Sequence, residues 1–461
     1  MSAIRTSTHW GACGFLVSCI GCGGTEGTDE VNTRTQSRDV SSARGERLEA
    51  NRIRIRRHFE DKRAKLNIVA TTMTKAGQII DWTVPEEDPV DYPIHWPEPL
   101  PPLPEGVSYA QSPLETEPEA RGPEGTVPNI RPDVEELLRA WGDRVPDDPA
   151  RILDIYPPPN PDGNHRYHAE RAARNGTWLG MEGRISVWDV GTLGAPPNPR
   201  PPNNVSVDTS IMQIFLGAGD GTGKRKDTLE AGKVQFYSTS AAGDDPLFFV
   251  YFTNSNYQTA NTGFCQGGYL LFGGGNSDKG WTPAASPTWT PGMKIPASSI
   301  SSIGNVKAIH TLFVRANNRW YVYVNGTVSG YFSNTCAGGL TMWHASDGTG
   351  AAGLRDYATD PRWYGEVNDS SASCTAPEFQ AGTCTVATTT DMGNGRKAAD
   401  PDAAWIDTMK MRALDNTIIQ FDQYTALRTR FTTDANCYNQ SLIVNNGFYM
   451  GGSGTTEAGC D

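Results

Sequence analysis

The sequence predicts an all-β antiparallel sandwich over residues 161–461, preceded by a small α+β domain and a proline-rich linker. Three observations carry that expectation. From about Tyr167 onward, short runs rich in β-branched and aromatic residues recur: GRISVWDV, SIMQIFLG, KVQFYS, LFFVYFTN, YLLFGG, KAIHTLFVRA, RWYVYVNGTV and KMRAL. Gly, Asn, Asp and Ser clusters separate them, and the 49 Gly and 32 Pro of the chain point to many turns. Within WYVYVNGTVSGYF, an Asn-Gly pair sits between two alternating runs, the strongest short-range hairpin signal.

Taken in order, residues 1–22 read as an export signal rather than structure. MSAIRTSTHWGACGFLVSCIGCGG has one Arg, a short apolar stretch, then small residues and cysteine. Leu16-Val17-Ser18-Cys19 resembles a bacterial lipobox, with Cys22 as the alternative lipidated residue. Neither candidate is followed by Asp, so the expected destination is the outer membrane or cell surface. Residues 23–41 are polar and are expected to form a flexible tether. From Ser42 to about Leu66, helix formers and charge pairs at helical spacing predict a helix with a basic face. NIVATTMTKAGQIIDWTVPEEDP then predicts a hairpin, which closes the small domain at about residue 95. Prolines crowd residues 96–160, as in WPEPLPPLPEG and DIYPPPNPDGN, so extended conformations and a linker are expected there. Only DVEELLRAWGDR interrupts this stretch, as a short amphipathic helix.

Bulk properties narrow the partners. The net charge is −12, and the long basic runs are confined to the first 65 residues, which disfavours nucleic acid. No apolar run is long enough to span a membrane, which leaves a lipid anchor as the expected membrane attachment. Cys265, Cys336, Cys374, Cys384, Cys437 and Cys460 form an even set without any CxxC spacing. In an exported protein they read as three disulfides, and in a cytosolic one as thiols. Cys374 and Cys384 are close enough in sequence to close one loop.

Several chemistries lack their residues. There is no G-x-S-x-G elbow, HExxH, P-loop or dinucleotide-binding fingerprint. Only His165, His168, His310 and His344 fall in the β-rich region, and GAGDGTGKRKD lacks a cation-loop pattern and reads as a hairpin loop. No cofactor and no metal are expected. Carboxylates remain. Along KDTLEAGKVQFYS, alternation places Glu230 on one face with Gly232, Val234 and Phe236, which reads as the more apolar of the two faces. Glu366, in DPRWYGEVND, lies in a second aromatic, strand-like run. Two carboxyl groups in semi-apolar settings can divide general-acid and general-base duty, because burial and mutual repulsion keep one protonated.

Read together, SIMQIFLG, DTLEAGKVQFY, PLFFVYFTNSNYQTANTGFCQGGY, RWYGEVND, TTTDMGNG and CYNQSLIVNNGFYMGGSGTTEAGC resemble, in order, the segments of the neprosin family of glutamic peptidases. AGQIIDW (Ala76 to Trp82) resembles that family's activation-peptide segment, which implies a pro-domain over residues 42–95. The resemblance implies an antiparallel β-sandwich and an acid-active endopeptidase that cuts after proline in protein or peptide substrates. Its catalytic glutamates fall on Glu230 and Glu366, which are expected to titrate as a coupled pair. Gln213 and Tyr364 are candidate substrate-binding residues, while Asp391 reads as a turn former and Tyr251 and Phe252 as core. The departures are Lys233 in place of the family's Trp, Tyr364 in place of a Gly, Asn394 in place of Ser, and Arg396 in place of His. A second Cys expected soon after Cys265 is absent, so Cys265 needs another partner, with Cys336 as the candidate; Cys437 and Cys460 match the family's terminal pair. Lys233 is three residues from Glu230 and should point to the opposite face. The alternative reading is a non-catalytic β-sandwich that binds surface glycans or peptides through Trp320, Trp343 and Trp363.

Overall fold

The computed structural model describes residues 30–85, 99–135, 138, 145, 147, 165–174, 176–190, 208–219, 226–237, 245–255, 263–265, 267–270, 279–346, 352–369, 391–426, 428–432, 437–443 and 445–452. The export signal with Cys19 and Cys22, and also Cys374, Cys384 and Cys460, lie outside the described residues. The chain divides into two compact units, residues 1–50 and 51–461. The first contributes the start of helix α1 (Glu30–Ala64). That helix begins at Glu30 rather than at Ser42, so much of the stretch read as a tether is helical. Its sequence explains this, because no Gly or Pro interrupts residues 30–44.

In the second unit, β1 (Ile68–Met73) and β2 (Ile79–Thr83) form the expected antiparallel hairpin, turned at Gly77 with a φ of 79°. The stretch read as linker is partly folded. It holds β3 (Val107–Tyr109), α2 (Pro113–Thr116) and β4 (Val127–Ile130), and β4 completes a three-stranded sheet of order β1-β2-β4. The prolines sit where a missing N–H costs little. Pro113 opens α2 behind a Ser112–Glu115 capping box, and Pro128 lies in β4, an edge strand. The indole of Trp82 packs so closely on Gly122 that a β-carbon there would lie 2.0 Å from the ring.

The remaining strands are β5 (His165–Ala173), β6 (Trp178–Ser186), β7 (Asp208–Gly219), β8 (Lys226–Tyr237), β9 (Leu247–Thr253), β10 (Gly268–Tyr269) and β11 (Trp281–Pro283). They continue with β12 (Val306–Ala316), β13 (Arg319–Val324), β14 (Thr327–Phe332), β15 (Asp360–Asp369) and β16 (Ala404–Ala413). β17 (Ile418–Gln420), β18 (Arg428–Thr432), β19 (Asn439–Gln440) and β20 (Phe448–Gly451) complete the order. One sheet runs β10-β9-β8-β7-β15-β5-β18. The other runs β11-β14-β13-β12-β6-β16-β20-β19, with β17 added on β16 and β3 on β12. Every described ladder is antiparallel except β3–β12. A single apolar cluster joins the facing sides: Ile214, Leu229, Ala231, Val250 and Trp363 from the first sheet, and Ile185, Phe313, Trp320, Val322 and Met450 from the second. The fold is therefore the predicted antiparallel sandwich. At the β13–β14 hairpin, Asn325 and Gly326 both take positive φ, 47° and 81°, as a type I′ turn requires. Cys265 and Cys336 are disulfide-bonded, as expected. Cys437 is also disulfide-bonded, to a partner outside the described residues.

The N-terminal segment docks on this sandwich. β3 pairs with Val306–Ala308 of β12, and Met293 packs among Ile80, Trp82, Leu114, Ala120 and Ile130. Gln78, within AGQIIDW, acts like a strand residue. Its Nε2 donates to the Gly292 carbonyl (2.8 Å) and its Oε1 accepts from the Lys294 N–H (2.7 Å). Residues 292–295 in turn bond to the N-terminal end of β9, with Gly292 N–H donating to Phe248 O and Phe248 N–H to Met293 O.

Candidate active site

The β8–β7–β15 ladder fixes which side chains share a face. Glu230 lies opposite Phe215, and Phe215 opposite Arg362. Gly232, Gln213 and Tyr364 form the next rung on that face, and Val234, Ile211 and Glu366 the one after. Partners on neighbouring antiparallel strands point the same way, so Glu230, Gln213, Tyr364 and Glu366 all emerge on one face. Glu230 and Glu366 occupy opposite corners of this nine-residue array, and Gln213 its centre. At about 3.4 Å per residue and about 4.8 Å per strand, the two α-carbons would lie roughly 16–17 Å apart on a flat sheet. The carboxylates therefore share no rung of the ladder, and coupling between them has to cross that spacing.

This face is the outer one. The core lies on the other side of β8, under Leu229 and Ala231, although that side also carries Lys233 and Gln235. Two long polar side chains are thus accommodated inside. Gln235 is satisfied there: its Oε1 accepts from Val190 N–H (3.0 Å) and its Nε2 donates to Asp189 Oδ1 (2.5 Å). Lys233 points away from Glu230, as expected, and is 1% exposed, with no hydrogen-bond partner for its ammonium group among the described residues. Burial lowers its pKa to about 7, opposed by the Asp189 charge. The outer face around Glu230 is nevertheless apolar, through Val234, Ile211, Phe215 and Phe249.

Local sequence explains the motif. In Glu230-Ala231-Gly232, Ala231 fills the core and Gly232 lets β7 approach. A β-carbon at Gly232 would lie 2.1 Å from the Met212 carbonyl oxygen and 2.8 Å from the Gln213 α-carbon. Thr228, on the same face, donates from Oγ1 to Glu230 Oε1 (2.9 Å). That positioning residue was missed in the sequence, where i, i+2 placement on a strand was the available signal. The start of β8 is anchored from behind by buried Asp227, which accepts from the backbone N–H groups of His344 and Leu354 (2.9 Å each) and contacts His344 Nδ1 (2.6 Å). Burial raises the Asp227 pKa despite these contacts.

Beyond Glu230, Tyr251 continues the same rung, and its ring meets that of Tyr269 edge-on with centroids 4.8 Å apart. Tyr251 thus belongs to the outer face rather than the core, whereas Phe252 is fully buried in the core as expected. At the other end, Arg362 bonds Asp360 and Glu170 and lies over the Phe215 ring at 5.1 Å. In the segment Asp391–Arg396, Asn394 donates to the Asp402 carbonyl and accepts from Arg396 N–H, and Arg396 pairs with Asp400. Asp391 sits beneath the Gly395 turn, and burial raises its pKa to about 6. Met392 reaches Gly365, whose added β-carbon would lie 3.0 Å from its sulfur.

Trp320, Trp343 and Trp363 are all 0% exposed and belong to the core. A glycan-binding surface built on those rings is therefore excluded. Among the four outer-face candidates, exposure is 5% for Glu230, 1% for Gln213, 4% for Tyr364 and 7% for Glu366. A peptide backbone cannot reach them in this conformation.

The fold and the array define a class: an antiparallel β-sandwich with two buried glutamates on the same face of one sheet. The neprosin family model matches residues 206–453, more than half of the chain, and the chain belongs to the neprosin family. Membership is consistent with a peptidase acting on proteins or peptides. None of the curated proteins matches the chain.

Proposed function

We propose that this protein is an exported glutamic endopeptidase, active in acid, that cleaves proline-containing peptides on the prolyl carboxyl side. The observation that carries the reading is the emergence of Glu230 and Glu366, the two residues the sequence resemblance points to, on one sheet face. One carboxylate takes a proton from water as its oxygen attacks the scissile carbonyl carbon. The other, entering protonated, gives its proton to the departing nitrogen as the C–N bond breaks. The Tyr251 and Tyr269 rings, packed edge to face beside Glu230, offer apolar surface for a prolyl ring. The closed state of the site supports a latent precursor, opened when the N-terminal region is removed. Lipidation at Cys19 or Cys22 would hold the precursor at the cell surface.

The test is hydrolysis of proline-containing peptides at pH 3–4 by the wild type, Glu230→Gln and Glu366→Gln. Each substitution should lower kcat/KM at least about 100-fold, in the range of lost acid–base catalysis, with little change in thermal stability. Full activity in both variants would sink the glutamic mechanism.

A further inference from the structure

Gln213 stands at the centre of the array, and the two-carboxylate scheme leaves its amide unused. It lies on the central strand β7, with Gly232 and Tyr364 as rung partners and the two glutamates at diagonal corners. Its side chain is 1% exposed, and neither its amide nitrogen nor its amide oxygen has a hydrogen-bond partner among the described residues. By contrast, the buried amide of Gln235 is bonded at both its oxygen and its nitrogen. An unpaired buried amide costs on the order of 1–3 kcal/mol, and a Met or Leu of similar size would avoid that cost. A stability role therefore does not account for Gln here.

We infer that Gln213 is a catalytic residue whose amide N–H binds the carbonyl oxygen of the scissile bond as negative charge develops on it. This rests on the peptidase reading above. Water attack moves the carbonyl π electrons onto oxygen, and neither glutamate can stabilise that oxygen while ionised. A neutral donor between the two acids meets the need without adding a charge that would perturb either. The amide has no bond to break before it can donate, so little reorganisation accompanies the reaction.

The experiment compares the full-length chain with Gln213→Met, Gln213→Glu, Glu230→Gln and Glu366→Gln at acid pH, on one proline-containing peptide. Gln213→Met should lose about 100- to 1,000-fold in kcat, the scale for a lost oxyanion donor. KM should change less than threefold, and the positions of both limbs of the pH–kcat profile should stay put. Its melting temperature should equal or exceed that of the wild type. Gln213→Glu should regain activity only at the acid end, where a protonated carboxyl can donate. Wild-type kcat in Gln213→Met, with both glutamate variants dead, overturns this inference alone. A lowered melting temperature with parallel loss of kcat would also overturn it, in favour of a structural amide. Glutamate variants that remain active, or an inactive wild type, overturn the peptidase reading and this inference with it.

Discussion

Burial of Lys233 has a cost that changes with pH in one direction. Unfolded, the ammonium group holds its proton up to about its ordinary value of 10.5; folded, it holds it only up to about 7. The unfolded chain thus binds the extra proton between these values, and stability falls as pH drops from 10.5 toward 7. Below 7 the penalty is complete and constant, on the order of 4–5 kcal/mol for a gap of that size. Lys233→Met should therefore raise stability by several kcal/mol at pH 5–7, with the gain fading above pH 10. Chemical denaturation at pH 6 and pH 10 checks this, and an equal gain at both would refute it. The same residue shows where reading from sequence stopped. Glu230, Gln213 and Glu366 were singled out in three separate strand-like runs, and the structure brings them to one face. Which face was core was not legible, because Lys233 and Gln235 look like surface residues while Val234 looks like core. Only the Asp189 and Val190 contacts, distant in sequence, make the inside tolerable for Gln235.

At the scale of the element, β8 serves two layers at once. Its even residues build the candidate site, its odd residues the core, and Gly232 sets how near β7 can come. Gly232→Ala would force a β-carbon to 2.1 Å from the Met212 oxygen, so the two central strands must separate locally. The expected cost is about 1–3 kcal/mol of stability. Activity should suffer more, because the shift displaces Gln213 relative to both glutamates. Melting curves and kcat/KM at acid pH test this together; unchanged kcat/KM would show that the rung spacing is not critical. Elements also divided into legible and illegible ones by the range of their interactions. The β13–β14 hairpin was readable, since Asn325-Gly326 encodes its own turn. β3 and β4 were not, since nothing local in a proline-rich run announces a parallel pairing with β12 or an edge position beside β2. Trp320, Trp343 and Trp363 were ambiguous for the same reason: ring type does not reveal which side of a strand faces inward.

For the whole molecule, the docked N-terminal segment changes what acid processing should look like. The sequence DIYPPPNPDGN lies between that segment and β5 and offers several bonds to an enzyme that cuts after proline. Cutting there would not by itself release residues 51–131. They are held by the β3–β12 pairing, by Gln78 on Gly292 and Lys294, and by the apolar packing around Met293. One electrostatic clamp acts within the segment, where Asp81 accepts from Arg63 (3.0 Å), Arg131 (2.5 Å) and Thr71 (2.8 Å). Burial alone would raise the Asp81 pKa, but these partners outweigh it and hold the value at about 2, below the ordinary 3.8. A depressed folded value means the clamp contributes fully above about pH 4, weakens progressively below that, and is lost as pH falls through about 2. At pH 3–4 the segment should therefore remain folded and bound after the chain is cut. Incubation at pH 3.5 should yield two bands on a denaturing gel that still co-elute as one peak in size exclusion at that pH. Separation should follow on lowering the pH toward 2, and Asp81→Asn should bring it forward to pH 3.5. An uncut chain would count against self-processing, whereas cut fragments that part at once at pH 3.5 would show that the docking contacts do not hold the segment. If the fragments stay together, cleavage and opening of the site are two steps, and activity should lag behind the appearance of the shorter band.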